Sequence, residues 1–393
     1  MRKFFYLILV AVCCESCLAQ APSSTIEELN QRVQEVFDNT ELPGFSVVVV
    51  DDNKVLYQYS LGLSNIATGK AYTGNTIQNI ASVSKTFLGV ALMIAQEQGQ
   101  LNLDDEINSH LPFKVVNPYE PNTPITIRHL ATHTAGINDE PVYQRAYVLE
   151  HPSIETSGFS RKLRKYVDKM KQNERVDDSA FLRNTLWKNG TWYTRENFIK
   201  TTPGTVYHYS NIGASLAAFV IENAVGMSYE DFTRRYIFEP LEMNDSGWDE
   251  TDVDIENHAT RYLDSSTPIP NYHLITRADG ALITNTTDFG KYLIEMLKGY
   301  HGKGKLLKPT SYTEMFTRKE FGSESSGIFW GVSKSGNPNH SGADPGVVTI
   351  VSVNPNKKLA IFFMSNYDIE NNRRTFKSII KILNHIKHHQ WED

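Results

Sequence analysis

The stretch NIASVSKTFLGV, at residues 79–90, places Ser82 and Lys85 three positions apart at the start of an apolar segment. This segment has no polar face, which is typical of a helix that is buried in a protein core. Gly99 supplies a C-terminal stop signal, so the sequence predicts a buried helix from about residue 84 to residue 98. A lysine in such a helix loses its hydration at a cost in free energy, and the rest of the chain has to explain its presence.

Strand patterns lie on both sides of this helix, near the two ends of the chain. Residues 45–62 form two β-rich runs around an Asp-Asp-Asn turn, which predicts a hairpin. Toward the C-terminus, the runs GIFWGVSK, GVVTIVSV and KLAIFFMSN are separated by the turn-forming SGNPN and NPNK, and an amphipathic helix follows from about residue 371 to residue 388. We therefore predict an α/β fold with one antiparallel sheet built from N- and C-terminal segments and flanked by helices.

The middle of the chain is mostly helical in pattern. Residues 101–275 predict an inserted, mostly helical domain, and residues 20–100 with 276–393 predict the α/β domain. One clear helix in the insertion begins after Asn211. Residues 139–200 lack clean periodicity, and both a surface insertion and a lid or substrate wall are compatible with them.

Residues 1–19 have the pattern of a secretory signal peptide. Arg2 and Lys3 precede a short apolar run, and small residues occupy the −3 and −1 positions before a cleavage site after Ala19. The run is shorter than the ~20 residues of a membrane-spanning helix. All three cysteines lie in this leader, in contexts that fit lipidation poorly. We expect an exported protein, periplasmic or secreted, with no transmembrane segment after the leader is removed.

The composition excludes some classes of partner. The chain has 393 residues, is 40% hydrophobic and 21% charged, and carries a formal net charge of −6. This balance disfavours general binding to nucleic acid or to anionic membranes. We expect a small molecule or a peptide as the partner, and the sequence does not indicate an oligomeric state.

Ser82 and Lys85 would share one helix face within hydrogen-bonding reach. The pattern recurs by chance, and the chain contains a second copy, Ser378 with Lys381, in the C-terminal amphipathic helix, where the lysine can lie on the solvated side. Ser82 differs because it opens a buried helix, where converging N–H groups favour negative charge. A serine beside an amine whose pKa is lowered by burial is a nucleophile that can be activated.

Two further motifs follow along the chain. Tyr209-Ser210-Asn211 leads directly into a helix, where Asn211 alone could act as a cap. His340-Ser341-Gly342 is the only His-x-Gly in the chain and precedes Ala343 and a predicted strand. Lys334-Ser335-Gly336 is a rival for the third position, but the Ala-Asp-Pro-Gly block follows His340, so we favour the later motif.

Ser-x-x-Lys, Tyr-x-Asn and His-x-Gly in this order resemble the motifs of the serine β-lactamase and penicillin-binding-protein superfamily. The chain is most similar to its branch of class C β-lactamases, D,D-peptidases and esterases. The blocks IASVSKTF, LATHTAGI, TPGTVYHYSN, IFEPLEMNDSGW, RADGALITNTTDF and HSGADPG carry the similarity, which extends over about residues 45–366. The resemblance implies a β-lactamase/transpeptidase-like fold.

The resemblance also implies a set of site residues. Ser82 would attack an acyl carbonyl, and Lys85 and Tyr209 would share its proton, with either a neutral lysine or a phenolate as the base. Asn211 would hold Lys85 and the substrate amide. The substrate-binding strand would comprise His340, Ser341, Gly342 and Ala343. The backbone N–H groups of Ser82 and Ala343 would form the oxyanion hole, and water would release the acyl group.

One departure from the family pattern concerns the substrate. Many β-lactamases have lysine at the position of His340, and His-x-Gly is more similar to D,D-peptidases, D-aminopeptidases and esterases. We expect an exported serine hydrolase of a D-alanyl peptide, a β-lactam or an ester, with a sensor or binding protein that is acylated with little turnover as the alternative. No cofactor is expected. His129 and His133, four residues apart without an intervening glutamate, do not make a metal site in this interpretation.

Overall fold

The computed structural model describes residues 25–370 and 372–391, so the predicted leader at residues 1–19 lies outside the described residues. The helices are α1 (Ile26–Phe37), α2 (Lys85–Glu97), α3 (Ile127–Ala131), α4 (Arg161–Lys171), α5 (Asp178–Leu186), α6 (Asn211–Val225), α7 (Tyr229–Thr233), α8 (Thr286–Tyr300), α9 (Pro309–Phe316) and α10 (Arg373–Lys387). The strands are β1 (Gly44–Val50), β2 (Val55–Asn65), β3 (Lys70–Ala71), β4 (Gln78–Asn79), β5 (Tyr147–Leu149), β6 (Tyr272–Leu274), β7 (Ile283–Thr284), β8 (Lys319–Phe321), β9 (Glu324–Ser326), β10 (Gly331–Val332), β11 (Pro338–Asp344), β12 (Val347–Asn354) and β13 (Leu359–Ser365).

A seven-stranded sheet in the order β10-β11-β12-β13-β1-β2-β3 organises the molecule. Each neighbouring pair in it is antiparallel. The two ends of the chain meet where β1 pairs with β13, with Val47 opposite Phe363. The predicted α/β fold, with an antiparallel sheet built from both ends of the chain and flanked by helices, is confirmed.

Helices cover both faces of this sheet, which explains why β1 is buried along its whole length. Val47 and Val49 belong to a cluster with residues of α1 and α10, whereas Val48 and Val50 belong to the larger core with α2 and α8. Successive strand side chains point to opposite faces, so one Val-rich run serves both layers. Each such side chain that is fully buried contributes ~1.5–3 kcal/mol of transfer free energy.

The predicted buried helix is present as α2, which is buried from its first residue to Ala95. A 3₁₀ turn, Ala81–Ser84, leads into it, and Gly99 follows its end with a φ of 71°. Helix α6 also has the predicted limits, because the Ser210 hydroxyl caps its first turn and Gly226 ends it in the left-handed conformation.

The last strands differ from the prediction. The GIFWGVSK run contributes only β10, and β11 includes Pro338 and Asn339, which we expected in a turn. Ile328 and Phe329 instead donate their backbone N–H groups to the carbonyls of Met315 and Ala131. Phe329 has a φ of 53°, and its apolar neighbourhood fills the helical core instead of extending the sheet.

Residues 101–275 contain α3 to α7 and the short strands β5 and β6, which pair with each other. The ambiguous residues 139–200 form β5, α4 and α5 with loops between them. Within the described part of the chain, no single helix has both the length and the apolarity of a membrane span. One pair, Asn211–Val225 with Tyr229–Phe238, has them together, with a bend of 81° between the two helices.

Candidate active site

Ser82 lies in the short 3₁₀ turn that precedes α2, and 8% of its surface is exposed. Ala81, immediately before it, has a φ of 48°, in the left-handed region that non-glycine residues seldom adopt. Backbone strain of this kind persists only where surrounding structure maintains it, and it is concentrated at functional sites. The turn thus presents one hydroxyl to the surface from an otherwise buried segment.

Strand β11 packs directly on this turn. A Cβ atom at Gly342 would lie 2.9 Å from the Ser82 nitrogen and 2.7 Å from the Ile80 carbonyl oxygen, so the close approach requires glycine. The Thr349 hydroxyl, from the adjacent strand, donates to the same Ile80 carbonyl at 2.7 Å. These contacts hold the segment from His340 to Ala343 beside Ser82.

The Lys85 ammonium is fully buried, and each of its three protons has an acceptor. Nζ donates to Ser82 Oγ at 3.1 Å, to Asn211 Oδ1 at 2.7 Å and to the main-chain oxygen of Asp279 at 2.6 Å. The 3₁₀ turn before α2, the first residue of α6 and the turn after β6 therefore converge on this one nitrogen.

Burial lowers the pKa of Lys85 from 10.5 to about 8, although the carboxylates of Asp279, Asp139 and Asp344 act in the opposite direction. Desolvation disfavours the charged form of an amine, and nearby negative charge favours it. With a pKa of 8, about one tenth of the lysine is neutral at pH 7. The lysine can therefore accept a proton, which the same residue on a solvated surface could not do.

The Tyr209 ring lies close to the same nitrogen. Its centroid is 5.0 Å from Lys85 Nζ and 4.4 Å from the centroid of the His133 ring. Burial raises the pKa of the Tyr209 phenol well above 10, while its hydrogen bond with Ser82 acts to lower it. The phenol therefore contacts the candidate nucleophile and keeps its proton at neutral pH.

His340 lies on β11 with its ring centroid 6.5 Å from that of Tyr209. Burial lowers the pKa of its imidazole to about 4, and the charge of Lys85 acts in the same direction. Nδ1 of the neutral ring donates to the Ser341 carbonyl at 2.9 Å, which leaves Nε2 as an acceptor. The strand therefore presents a neutral group where a lysine would present a fixed positive charge.

Sequence reasoning assigned no role to several acidic residues near the site. The Asp139 carboxylate accepts hydrogen bonds at the start of α6, including one from the Asn211 N–H at 2.6 Å. Tyr147, from the ambiguous segment at residues 139–200, donates to Asp344 Oδ1 at 2.5 Å. Asp344 lies inside the block HSGADPG and Asp139 lies just after LATHTAGI, but no spacing rule links either residue to Lys85 before the chain is folded.

Other candidates from the sequence lie elsewhere or serve the backbone. Nδ1 of His129 accepts from the Thr126 N–H at 3.2 Å, and Nδ1 of His133 accepts from the Ser210 N–H at 3.3 Å. The rival Lys334-Ser335-Gly336 occupies the turn between β10 and β11, where Lys334 is exposed.

Comparison with known proteins relates the chain to one family. The family model described as Beta-lactamase matches residues 29–382. Protein flp of Staphylococcus aureus (strain NCTC 8325 / PS 47) is 24% identical over 271 residues, which are 68% of this chain and 48% of that protein. The chain thus spans about half the length of the curated relatives that it matches.

Solved structures share the fold. The octameric penicillin-binding protein homologue from Pyrococcus abyssi superimposes with a TM-score of 0.71 at 23% identity, over 93% of this chain and 78% of that one. The D-amino acid amidase from Ochrobactrum anthropi SV3, solved with L-phenylalanine amide, superimposes with a TM-score of 0.64 at 21% identity, over 92% of this chain and 99% of that one.

Proposed function

The chain belongs to the beta-lactamase family, and from this premise we propose that it is a serine hydrolase that cleaves a small amide or ester through an acyl-enzyme on Ser82. One observation carries the proposal: the buried Lys85 Nζ lies 3.1 Å from Ser82 Oγ. An amine that is partly neutral near physiological pH, within hydrogen-bonding reach of a hydroxyl, is the arrangement that activates a serine nucleophile.

In the proposed reaction, Ser82 Oγ attacks the substrate carbonyl while its proton passes to the Lys85–Tyr209 pair. The pKa of Lys85, about 8, supports the neutral amine as the base, because the pKa of Tyr209 lies well above 10. Asn211 Oδ1 keeps the amine directed at the serine. The backbone N–H groups of Ser82 and Ala343 would stabilise the oxyanion, a contribution typically worth ~3 kcal/mol of the barrier.

The neutral His340 bears on the substrate class. A substrate with a carboxylate beside the scissile bond is bound best by a fixed cation, and burial lowers the pKa of this imidazole to about 4. This supports amides and esters without such a carboxylate, D-alanyl amides first, ahead of β-lactams. A structural neighbour that is a D-amino acid amidase supports the same order.

Two further proposals concern the whole chain. The leader pattern at residues 1–19 supports export, and the pattern of residues 101–275 supports an inserted helical domain between the two segments of the α/β domain. Neither bears on the chemistry at Ser82.

A turnover assay tests the proposed function. The protein lacking residues 1–19 is incubated with a D-alanine p-nitroanilide, a p-nitrophenyl ester and a fluorescent penicillin, beside Ser82→Ala. We expect steady release of product from the amide or the ester, and a loss of more than about 1,000-fold in Ser82→Ala. A stable 1:1 adduct on Ser82 without turnover would instead indicate the sensor, and equal rates in the two proteins would refute the assignment to this site.

A further inference from the structure

The Asp139 carboxylate lies against the N-terminus of α6 and accepts three hydrogen bonds there. Oδ2 accepts from the Asn211 N–H at 2.6 Å, and Oδ1 accepts from the Ile212 N–H at 3.2 Å and from the Ser210 hydroxyl at 2.7 Å. The first N–H groups of a helix have no acceptor within the helix. A carboxylate placed there accepts hydrogen bonds from donors that would otherwise be buried without an acceptor.

The segment that Asp139 holds is the one that contacts the lysine. Asn211 donates its backbone N–H to Asp139 and accepts the Lys85 ammonium on its side chain at 2.7 Å. Tyr209, two residues earlier, places its ring 5.0 Å from the same ammonium. A shift of the 209–211 backbone would therefore move both groups relative to Ser82.

Among the described residues, no hydrogen bond joins the Asp139 carboxylate to Ser82 or to Lys85, so any effect on the chemistry passes through α6 and through the charge of Asp139. Asp139 is also the first residue of the ambiguous stretch at 139–200, two positions after the last residue of the block LATHTAGI. The first residue of that stretch thus lies beside the site and accepts hydrogen bonds from the N-terminal end of α6, which carries Asn211.

We propose that Asp139 is a positioning residue for acyl transfer at Ser82: its carboxylate fixes the first turn of α6, so that Asn211 and Tyr209 hold Lys85 against the nucleophile. The inference rests on the proposed hydrolase function. An ordinary helix cap contributes to stability alone, whereas a positioning residue also changes kcat.

The test compares Asp139→Asn with Asp288→Asn. The control carboxylate is itself part of the first turn of another 15-residue helix, α8. Like Asp139, it accepts from a backbone N–H, that of Asp245, at 2.8 Å and from a serine hydroxyl, that of Ser246, at 3.0 Å. In Asp139→Asn the amide group opposes a backbone donor. We expect kcat to fall by about 10- to 100-fold with KM little changed, and Asp288→Asn to stay within about twofold of wild type even where it unfolds at a lower temperature.

A pH profile gives a readout that a purely structural role would not change. The Asp139 carboxylate raises the pKa of Lys85, so its removal lowers that pKa, and the rise of kcat/KM with pH moves to lower pH. Asp139→Glu, which keeps the charge, leaves the profile in place. The other titratable groups that face the amine are unchanged in both variants: Asp279, Asp344, Tyr209, His133 and His340.

A folded Asp139→Asn protein with wild-type kcat and pH profile overturns the inference. If that variant does not fold, Ser210→Ala removes one donor to Asp139 together with the N-cap of α6, and it is compared with Ser228→Ala, which removes the N-cap of α7 alone. A loss of kcat of at least about threefold in Ser210→Ala alone supports the inference, and equal activities overturn it. A wild-type protein without Ser82-dependent turnover refutes the proposed function instead, which keeps the two failures distinct.

Discussion

The two Ser-x-x-Lys segments of the chain have the same spacing and opposite surroundings. Lys85 is fully buried and donates to Ser82, to Asn211 and to a main-chain carbonyl. Lys381 is exposed on α10, and the Ser378 hydroxyl donates to the Arg374 carbonyl of its own helix at 3.4 Å. The spacing brings a hydroxyl and an amine within reach, and the environment decides whether the amine can lose its proton.

The difference has its origin in how the two helices pack. Helix α2 packs against α6 and α9, and its Phe87 ring stacks on Tyr292 of α8, so apolar side chains surround it. Helix α10 buries one face. Its residues Ile379, Ile382 and Ile386 belong to the apolar cluster that includes side chains of α1, β1 and β13. An amphipathic helix keeps water on its polar face, and a lysine there keeps its charge.

The largest difference in activity is expected between the variants that remove the lysine of each segment. In Lys85→Met we expect kcat/KM to fall by at least about 100-fold, because a general base typically contributes 10²–10⁴-fold. Lys381→Met should remain within about twofold of wild type. Steady-state hydrolysis of the preferred ester or amide measures both, and similar losses in the two variants would contradict the comparison.

A side chain at Gly342 should disturb the packing of β11 against the turn that contains Ser82. In Gly342→Ala the new Cβ would lie 2.9 Å from the Ser82 nitrogen, so strand and turn must move apart. We expect a loss of about 10-fold or more in kcat, and overpacking that lowers the free energy of unfolding by about 1–3 kcal/mol. Gly158→Ala is the control, since nothing lies within 4 Å of its Cβ position. Wild-type activity in Gly342→Ala would argue against close packing of β11 on Ser82.

The pH dependence of the reaction should reflect Lys85 and the carboxyl groups around it, among which burial raises the pKa of Asp279 to about 7. In the proposed mechanism the base is the neutral form of Lys85, whose pKa is about 8, so activity should rise with pH and be half-maximal near pH 8. Below pH 7 the logarithm of kcat/KM should fall by about one unit per pH unit. His340, with a pKa of about 4, stays neutral over this range. A profile that is flat from pH 6 to pH 9 would exclude Lys85 as the base.

The smallest effect is expected for the second serine. Ser378→Ala removes a half-buried hydroxyl whose acceptor is a carbonyl within its own helix. The free energy of unfolding should change by less than about 0.5 kcal/mol, as for most surface substitutions. Chemical denaturation and the hydrolysis assay measure the two quantities, and a loss of turnover would mean that α10 takes part in the site.

Prediction from sequence succeeded where a local pattern and the packing agree. The hairpin of β1 and β2, the limits of α2 and α6 and the assembly of the sheet from both ends follow from periodicity and stop signals. Prediction failed at GIFWGVSK, where Phe329 adopts a φ of 53° and the backbone bonds to α3 and α9. An apolar run predicts that its residues are buried, but it does not distinguish burial in a sheet from burial between helices.

The candidate site divides in the same way. Motif order indicated Ser82, Lys85, Tyr209 and Asn211, and the structure brings all four together. No sequence pattern indicated the role inferred for Asp139. Its three hydrogen-bond donors lie at the start of α6, some seventy residues later in the chain.

The sequence by itself determined the hairpin of β1 and β2 and the limits of α2 and α6, and it placed a serine and a lysine within reach of each other. These properties depend on side chains a few positions apart. Only the tertiary structure decided that Lys85 is desolvated whereas Lys381 stays hydrated, and that His340 is neutral. It also decided that a carboxylate from a distant part of the chain accepts the first N–H groups of α6. Desolvation and charge at a group are set by every neighbour in space, and those neighbours come from distant parts of the chain.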